Sequence, residues 1–348
     1  MPLLRRLHVK TPEAQVSVIP DFGSLGALSG PLASFLLSTL QEKSRLAYRQ
    51  VLADFKTELE ARSVPWKGLS SPERDVWLAE WTFEHMEASE LPRQHFVLLA
   101  TALQKISPGV RFHITWKVLD AWALRTPARQ APAMPKELAV AVAVLCVVCG
   151  QEAVGTAILL AFCAVLRISE ALFLRRRDVI CTGSAFVLVL GRTKKGLLQQ
   201  VVIEEPSCVA WLSNYIGRHY GGPNDLLFNV SYAKVSYWLS RCCAVFGLAE
   251  VHFTTHSLRR GGATELLRLG WRVEDICIYG RWQSISSARL YLQRGEVFLI
   301  RFRGGQIMCK WDAITDIAKL GTSVWRVPAV RNRLEGMRTL LASSSTKL

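Results

Sequence analysis

The chain of 348 residues has no apolar stretch long enough to span a bilayer. Its most hydrophobic segment, Leu138 to Leu166, is split by Gly150-Gln151-Glu152 into runs of about a dozen residues, whereas roughly 30 Å of hydrocarbon needs about 20. Two buried helices of a soluble core are the expectation. Met1 to Lys10 is basic but is followed by no apolar h-region, so no secretory signal is expected. The expected location is nuclear in a eukaryote and cytoplasmic otherwise. Zinc spacing is also missing. The nine cysteines include one CxxC half-site, Cys146-Val147-Val148-Cys149, with no second pair at a suitable distance and no flanking histidine, and reduced core thiols are expected. No GxxxxGK[ST] or GxGxxG run opens a helix after a strand, so Gly261-Gly262 does not signal a nucleotide site. Paired carboxylates at a spacing suited to metal-dependent nuclease work are lacking too. The cofactor and metal expectation is therefore none. There is no internal repeat and no low-complexity tract.

Acidic residues are scarce. Against 43 Lys and Arg stand 28 Asp and Glu, a net charge of +15 with a pI near 9.7. Such a balance favours a polyanionic partner, because neutralised phosphates release condensed counterions. The excess is steepest in residues 301–348, with nine basic and three acidic residues. That tail reads equally as a solvated terminus or as a DNA contact.

The first 30 residues, rich in Pro, Gly and Ser, read as a flexible leader. Helical spacing begins near Pro31. It continues through Leu46, Val51, Leu52, Phe55 and Leu59, then from an N-cap at Ser71 with Pro72 at the first helical position, then over Phe96 to Ile106 and Ile114 to Leu124. Residues 31–126 are thus an expected all-helical domain. Pro127, Pro132 and Pro135 mark 127–136 as an extended connector. The second domain, 137–300, opens with the two apolar helices and passes to strand signals at Phe186 to Leu190 and Gln200 to Ile203. These flank a Lys194-Lys195-Gly196 turn, a basic hairpin. Helices return from His256, with Gly270, Gly280 and Gly295 at expected C′ positions, and residues 301–348 form a basic extension. The fold class expected is mainly α with a small β-sheet.

The second domain carries an ordered set: Arg167, Lys194, His256, Arg259, Trp282 and Tyr291. Each has an ordinary structural role when taken alone. Arg167 suits a helix end, His256 a position just past a threonine cap, Trp282 and Tyr291 a core, and Lys194 a soluble turn. Together they supply two guanidiniums, an ammonium, an imidazole, an indole donor and a phenol. That inventory suits phosphoryl transfer to a tyrosine without a metal.

The same residues resemble the tyrosine recombinases, the integrases that act on DNA. The resemblance rests on Leu166-Arg167-Ile168-Ser169-Glu170-Ala171-Leu172, the hairpin lysine, His256-Ser257-Leu258-Arg259, Gly280-Arg281-Trp282 and Tyr291. Arg259 and Trp282 are 23 positions apart, and Trp282 and Tyr291 nine, as in that family's catalytic domain. Trp in place of His within Gly-Arg-Trp is similar to the enzymes of eukaryotic mobile elements such as cryptons and tyrosine-recombinase retrotransposons. The resemblance covers roughly Lys136 to Arg294, and the N-terminal helices match the family's core-binding domain only in architecture and position.

The resemblance implies a two-domain clamp on double-stranded DNA, four protomers on two sites, and site-specific recombination or integration through a 3′-phosphotyrosine on Tyr291. An exchanged C-terminal segment, possible within 301–348, would link neighbours. Arg167 and Arg259 would hold the non-bridging oxygens. Trp282 would donate its N–H or orient the nucleophile, Lys194 or Lys195 would protonate the leaving oxygen, and Glu170 would hold a catalytic side chain in place. Tyr279 is a competing nucleophile. Two other functions remain open at this point: a catalytically silent DNA-binding protein derived from a mobile element, and a type IB topoisomerase-like relaxation of DNA.

Overall fold

The helical spacing of the first half closes into the first of two compact units, Met1–Arg129 and Gln130–Leu348. The computed structural model describes residues 30–40, 42–88, 90–126, 130–191, 199–292, 295 and 310–325. In the first unit these include α1 (Gly30–Ser38), α2 (Glu42–Ala61), α3 (Ser71–Ala88), α4 (Arg93–Ile106) and α5 (His113–Arg125). Val51, Leu52, Phe55 and Leu59 of α2 are buried, while Leu46, of the same periodic set, stays 55% exposed. The cap of α3 lies one residue earlier than the sequence suggests. Ser70 donates its backbone N–H to Glu73 Oε2 at 2.6 Å, and its hydroxyl receives the Glu73 N–H at 3.5 Å, so Ser71 and Pro72 fall inside the first turn. The core is aromatic: Trp66, Trp77 and Trp81 surround Phe55, and Phe96 packs edge-on against Trp81.

One carboxylate of this unit, Asp75, is buried. Asp75 of α3 accepts the backbone N–H groups of Ile114 at 2.8 Å and Thr115 at 2.9 Å, and the Thr115 hydroxyl at 2.8 Å. A side chain distant in sequence thus caps the otherwise unpaired first turn of α5.

The second unit is built around α6 (Lys136–Val148) and α7 (Glu152–Cys163), joined through Gly150 at φ +71°. Most of their side chains are fully buried. They pack closely because Gly155 lacks a side chain: a Cβ there would lie 2.6 Å from the Ala143 carbonyl oxygen. No helix among the described residues is long and apolar enough to cross a membrane.

After α8 (Ile168–Leu172) come β1 (Val179–Cys181), β2 (Phe186–Leu190) and β3 (Gln199–Ile203), antiparallel in that order. Phe186, Leu188 and Leu190 alternate inward with Val201 and Ile203 to join the core. β1 is a third strand that the hydrophobic pattern did not predict. Lys194 and Lys195, which fall in sequence between β2 and β3, lie outside the described residues.

The chain continues as α9 (Pro206–Arg218), α10 (Tyr232–Val245), α11 (Thr255–Arg268), α12 (Val273–Tyr279) and α13 (Ile285–Arg289). Within the basic extension, α14 (Lys310–Leu320) packs on α6 of its own chain and buries Ile314 and Ile317. The turn that follows brings Trp325 beneath the Arg218 guanidinium, 5.3 Å from its ring centroid. Cys146, Cys208, Cys242, Cys243 and Cys277 are buried free thiols, whereas Cys181 on β1 is exposed. The molecule is mainly helical with one small antiparallel sheet.

Candidate active site

Three short stretches of backbone converge to make the site: the turn after α7, the first two turns of α11, and the segment from the end of α12 to Tyr291. The turn after α7 is a left-handed cap. Leu166 N–H returns to the Ala161 carbonyl at 3.0 Å, and Val165 takes φ +48°. Glycine is the usual residue there, and a β-branched one costs about 1–2 kcal/mol. In that conformation the Val165 carbonyl accepts Arg259 Nη1 at 2.8 Å and Arg281 Nη2 at 3.3 Å. Two residues later Arg167 caps α8, its side chain 47% exposed. Glu170, in the first turn of α8, reaches back to the Arg167 N–H at 2.8 Å and to Arg167 Nη1 at 2.6 Å.

The helix α11 starts from a Thr254 cap, whose hydroxyl accepts the His256 N–H at 3.3 Å. One turn on, Arg259 is 1% exposed. It is held there because α11 meets α7 backbone to backbone. Cβ atoms added at Gly261 and Gly262 would lie 2.1 Å from the Met134 oxygen and 2.0 Å from the Phe162 oxygen. These glycines therefore serve close packing. Arg259 donates to the Val165 and Gly280 carbonyls and lies 4.6 Å from the Trp282 ring centroid and 5.9 Å from that of Tyr291. Its neighbour Arg260, 6% exposed, donates to the Ala131 carbonyl at 2.6 Å, to Gln130 Oε1 and to the Leu290 carbonyl. Its guanidinium carbon is 5.3 Å from the Tyr291 centroid.

The end of α12 differs from the sequence expectation. Gly270, at φ +92°, is the left-handed residue after α11, but Gly280 has φ −77° and the left-handed position falls on Arg281, φ +59°. The glycine is required instead by the indole: a Cβ at Gly280 would sit 1.8 Å from the Trp282 ring. Trp282 tilts against Tyr291 with centroids 4.9 Å apart, and its Nε1 is buried without a hydrogen-bond partner among the described residues. The Tyr291 carbonyl accepts the Thr264 hydroxyl at 3.2 Å. Tyr279 does not compete for this position. Its hydroxyl donates to the carbonyl of either Cys163, at 3.2 Å, or Val202, at 3.1 Å, and burial drives its pKa far up.

Electrostatically the site is a cluster of guanidiniums around one carboxylate. Glu170 Oε2 lies 2.8 Å from Arg281 Nη2 and 3.6 Å from Arg259 Nη1, while Oε1 takes Arg167. Burial opposes ionisation of Glu170, but the Arg281 cation, the Arg167 hydrogen bonds and Arg259 outweigh it and hold its pKa below the usual range. Partial desolvation, then the cations of Arg259, Arg167 and Arg260, lower the His256 pKa, so the imidazole is neutral at pH 7. Burial and neighbouring cations press on Arg259 as well, yet a guanidinium keeps its proton.

Arg167, His256, Arg259, Trp282 and Tyr291 are thus brought together, and Lys194 falls outside the described residues. The sequence reading missed Arg260 and Arg281. Their adjacency to Arg259 and Trp282 was the available signal, but which guanidinium turns inward is decided by tertiary contacts.

Residues 139–296 match the phage integrase family. No curated protein matches the chain. The fold is similar to that of the XerH site-specific recombinase bound to palindromic difH substrate in a post-cleavage complex, at 15% identity over 71% of this chain and 75% of that one, TM-score 0.53. It is also similar to the Tn1549 transposon integrase in complex with circular intermediate DNA, at 14% identity over 78% and 98%, TM-score 0.52. A lambda integrase dimer bound to a COC′ core site compares at 14% identity over 76% and 75%, TM-score 0.50. At these identities the likeness is one of fold.

Proposed function

With residues 139–296 forming a phage integrase family domain, the chain is a tyrosine recombinase by family, and we propose that it cuts and rejoins double-stranded DNA at specific sites through a 3′-phosphotyrosine on Tyr291. The observation that carries this reading is the packing of the Tyr291 ring against Trp282 and beside the Arg259 and Arg260 guanidiniums, in a cluster whose cations outnumber the carboxylate they share. Such a cluster is built for an added anion.

The Tyr291 oxygen attacks phosphorus, a P–O bond to tyrosine forms, and the bond to the 5′ oxygen breaks. Charge that develops on the non-bridging oxygens is met by Arg167 and Arg259, and by the free indole N–H of Trp282. Neutral His256 takes the phenol proton. The leaving 5′ oxygen takes a proton from Lys194 or Lys195. Because the phosphodiester energy is kept in the phosphotyrosine, a 5′ hydroxyl of a partner strand reverses the step without ATP. Four protomers on two sites are the assembly in which this exchange completes, and a single protomer per paired site under reaction conditions would remove that part of the reading.

The test is recovery of detergent-resistant protein–DNA adducts from cells that express the wild-type chain or Tyr291→Phe, followed by sequencing of the attached DNA. Adducts that share a sequence and vanish in the variant are expected. Binding without adducts in the wild type would replace the enzyme by a silent DNA clamp. Relaxation of arbitrary supercoiled plasmid, with no shared sequence, would replace it by a topoisomerase.

A further inference from the structure

The backbone at Arg281 is in a conformation that glycine adopts freely and other residues avoid, φ +59° at the residue after the α12 cap. Yet its side chain is 5% exposed and meets Glu170 at 2.8 Å, with further hydrogen bonds to the Tyr279 and Val165 carbonyls. A strained main chain kept for a buried ion pair points to the guanidinium as the reason for the residue. The three arginines on Glu170 are also unequal. Arg281 and Arg259 are enclosed, at 5% and 1% side-chain exposure, while Arg167 is 47% exposed. Of the three, only Arg167 leaves much of its side chain open to solvent.

We propose that Arg281 is a positioning residue that neutralises Glu170, and so leaves the Arg167 and Arg259 charges available to the scissile phosphate. This inference rests on the proposed cleavage by Tyr291. With Arg281 in place, Glu170 Oε2 is already paired and stays 3.6 Å from Arg259 Nη1. Without it, the carboxylate, already holding Arg167 through Oε1 at 2.6 Å, is undercompensated at Oε2, draws Arg259 in, tightens its hold on Arg167, and competes with the phosphate for both. The guanidinium of Arg281 itself does not touch the DNA in this scheme. Its effect is exerted through Glu170, and removing that carboxylate should make Arg281 dispensable.

The test uses the full chain and a nicked duplex carrying the sequence recovered from adducts, with wild type, Arg281→Gly, Glu170→Gln and the double variant compared for adduct rate and duplex affinity. Arg281→Gly should slow adduct formation about tenfold or more with duplex affinity within about threefold, since backbone phosphate contacts dominate affinity. Glu170→Gln in the Arg281→Gly background should recover most of that loss, a reversal that a merely structural role would not give. Arg281→Gln, which keeps much of the side-chain length, replaces the glycine variant if thermal melting shows that the latter is not folded. An unchanged rate in a folded Arg281 variant overturns the inference and leaves cleavage by Tyr291 standing. A slowed rate that Glu170→Gln does not recover also overturns it. Absence of adducts in the wild type removes the cleavage reading and this inference together.

Discussion

Asp75 and Glu170 are both carboxylates held at the start of a helix, and they are used in opposite ways. Asp75 is saturated by neutral donors, two backbone N–H groups and a hydroxyl, and everything it offers is consumed in fixing α5 to α3. Glu170 is oversubscribed, with three guanidiniums around one charge, so positive potential is left over. A satisfied buried charge reads as architecture, and a deficit of counter-charge among buried cations reads as a place prepared for an anion.

The contrast breaks if the wrong side of it proves catalytic. Arg259→Ala removes the most enclosed cation and should lower the adduct rate by about 10²–10³, or roughly 3–4 kcal/mol of barrier, measured on folded protein at saturating duplex. Asp75→Ala strands the N–H groups of α5 and should cost about 2–3 kcal/mol in denaturant unfolding of the first unit. A rate loss in the purified folded fraction as large as that of Arg259→Ala would erase the distinction. Gly262→Ala forces a methyl against the Phe162 carbonyl and should cost about 1–3 kcal/mol of stability in the second unit, readable as a lowered melting temperature.

The smallest effect is the pH response of His256, whose folded pKa is depressed below 6.5. Folding favours the neutral imidazole, so its contribution is complete above the ordinary value and is lost as pH falls through the depressed one. The kcat/KM for adduct formation should likewise be flat above about pH 6.5 and fall on the acid side. His256→Asn should flatten that limb, and an acid limb that persists in the variant would assign the titration elsewhere.

Much of this was legible in the sequence because the informative residues lie in short local patterns. Arg167, His256, Arg259, Trp282 and Tyr291 could be named from their order and spacing. The helices of the first unit followed from their apolar period. What stayed hidden depended on contacts that no local pattern encodes. In Gly280-Arg281-Trp282 the glycine looks like the left-handed residue, but the indole packing claims it and pushes the unusual dihedral on to Arg281. Val179-Ile180-Cys181 is too short to show a two-residue period, and it became a strand only by pairing with β2. The burial of Ile314 and Ile317 was masked by the charge of the tail around them, since it is α6 that makes α14 a core helix.

The paired glycines of α11 carry a consequence for timing. Because Gly261 and Gly262 seat that helix directly on the backbone at Met134 and Phe162, the arginines just before them are fixed when the chain folds, not when DNA arrives. The ordering entropy of the cation cluster is then met once, during folding. An incoming phosphate finds dipoles and charges that need little rearrangement.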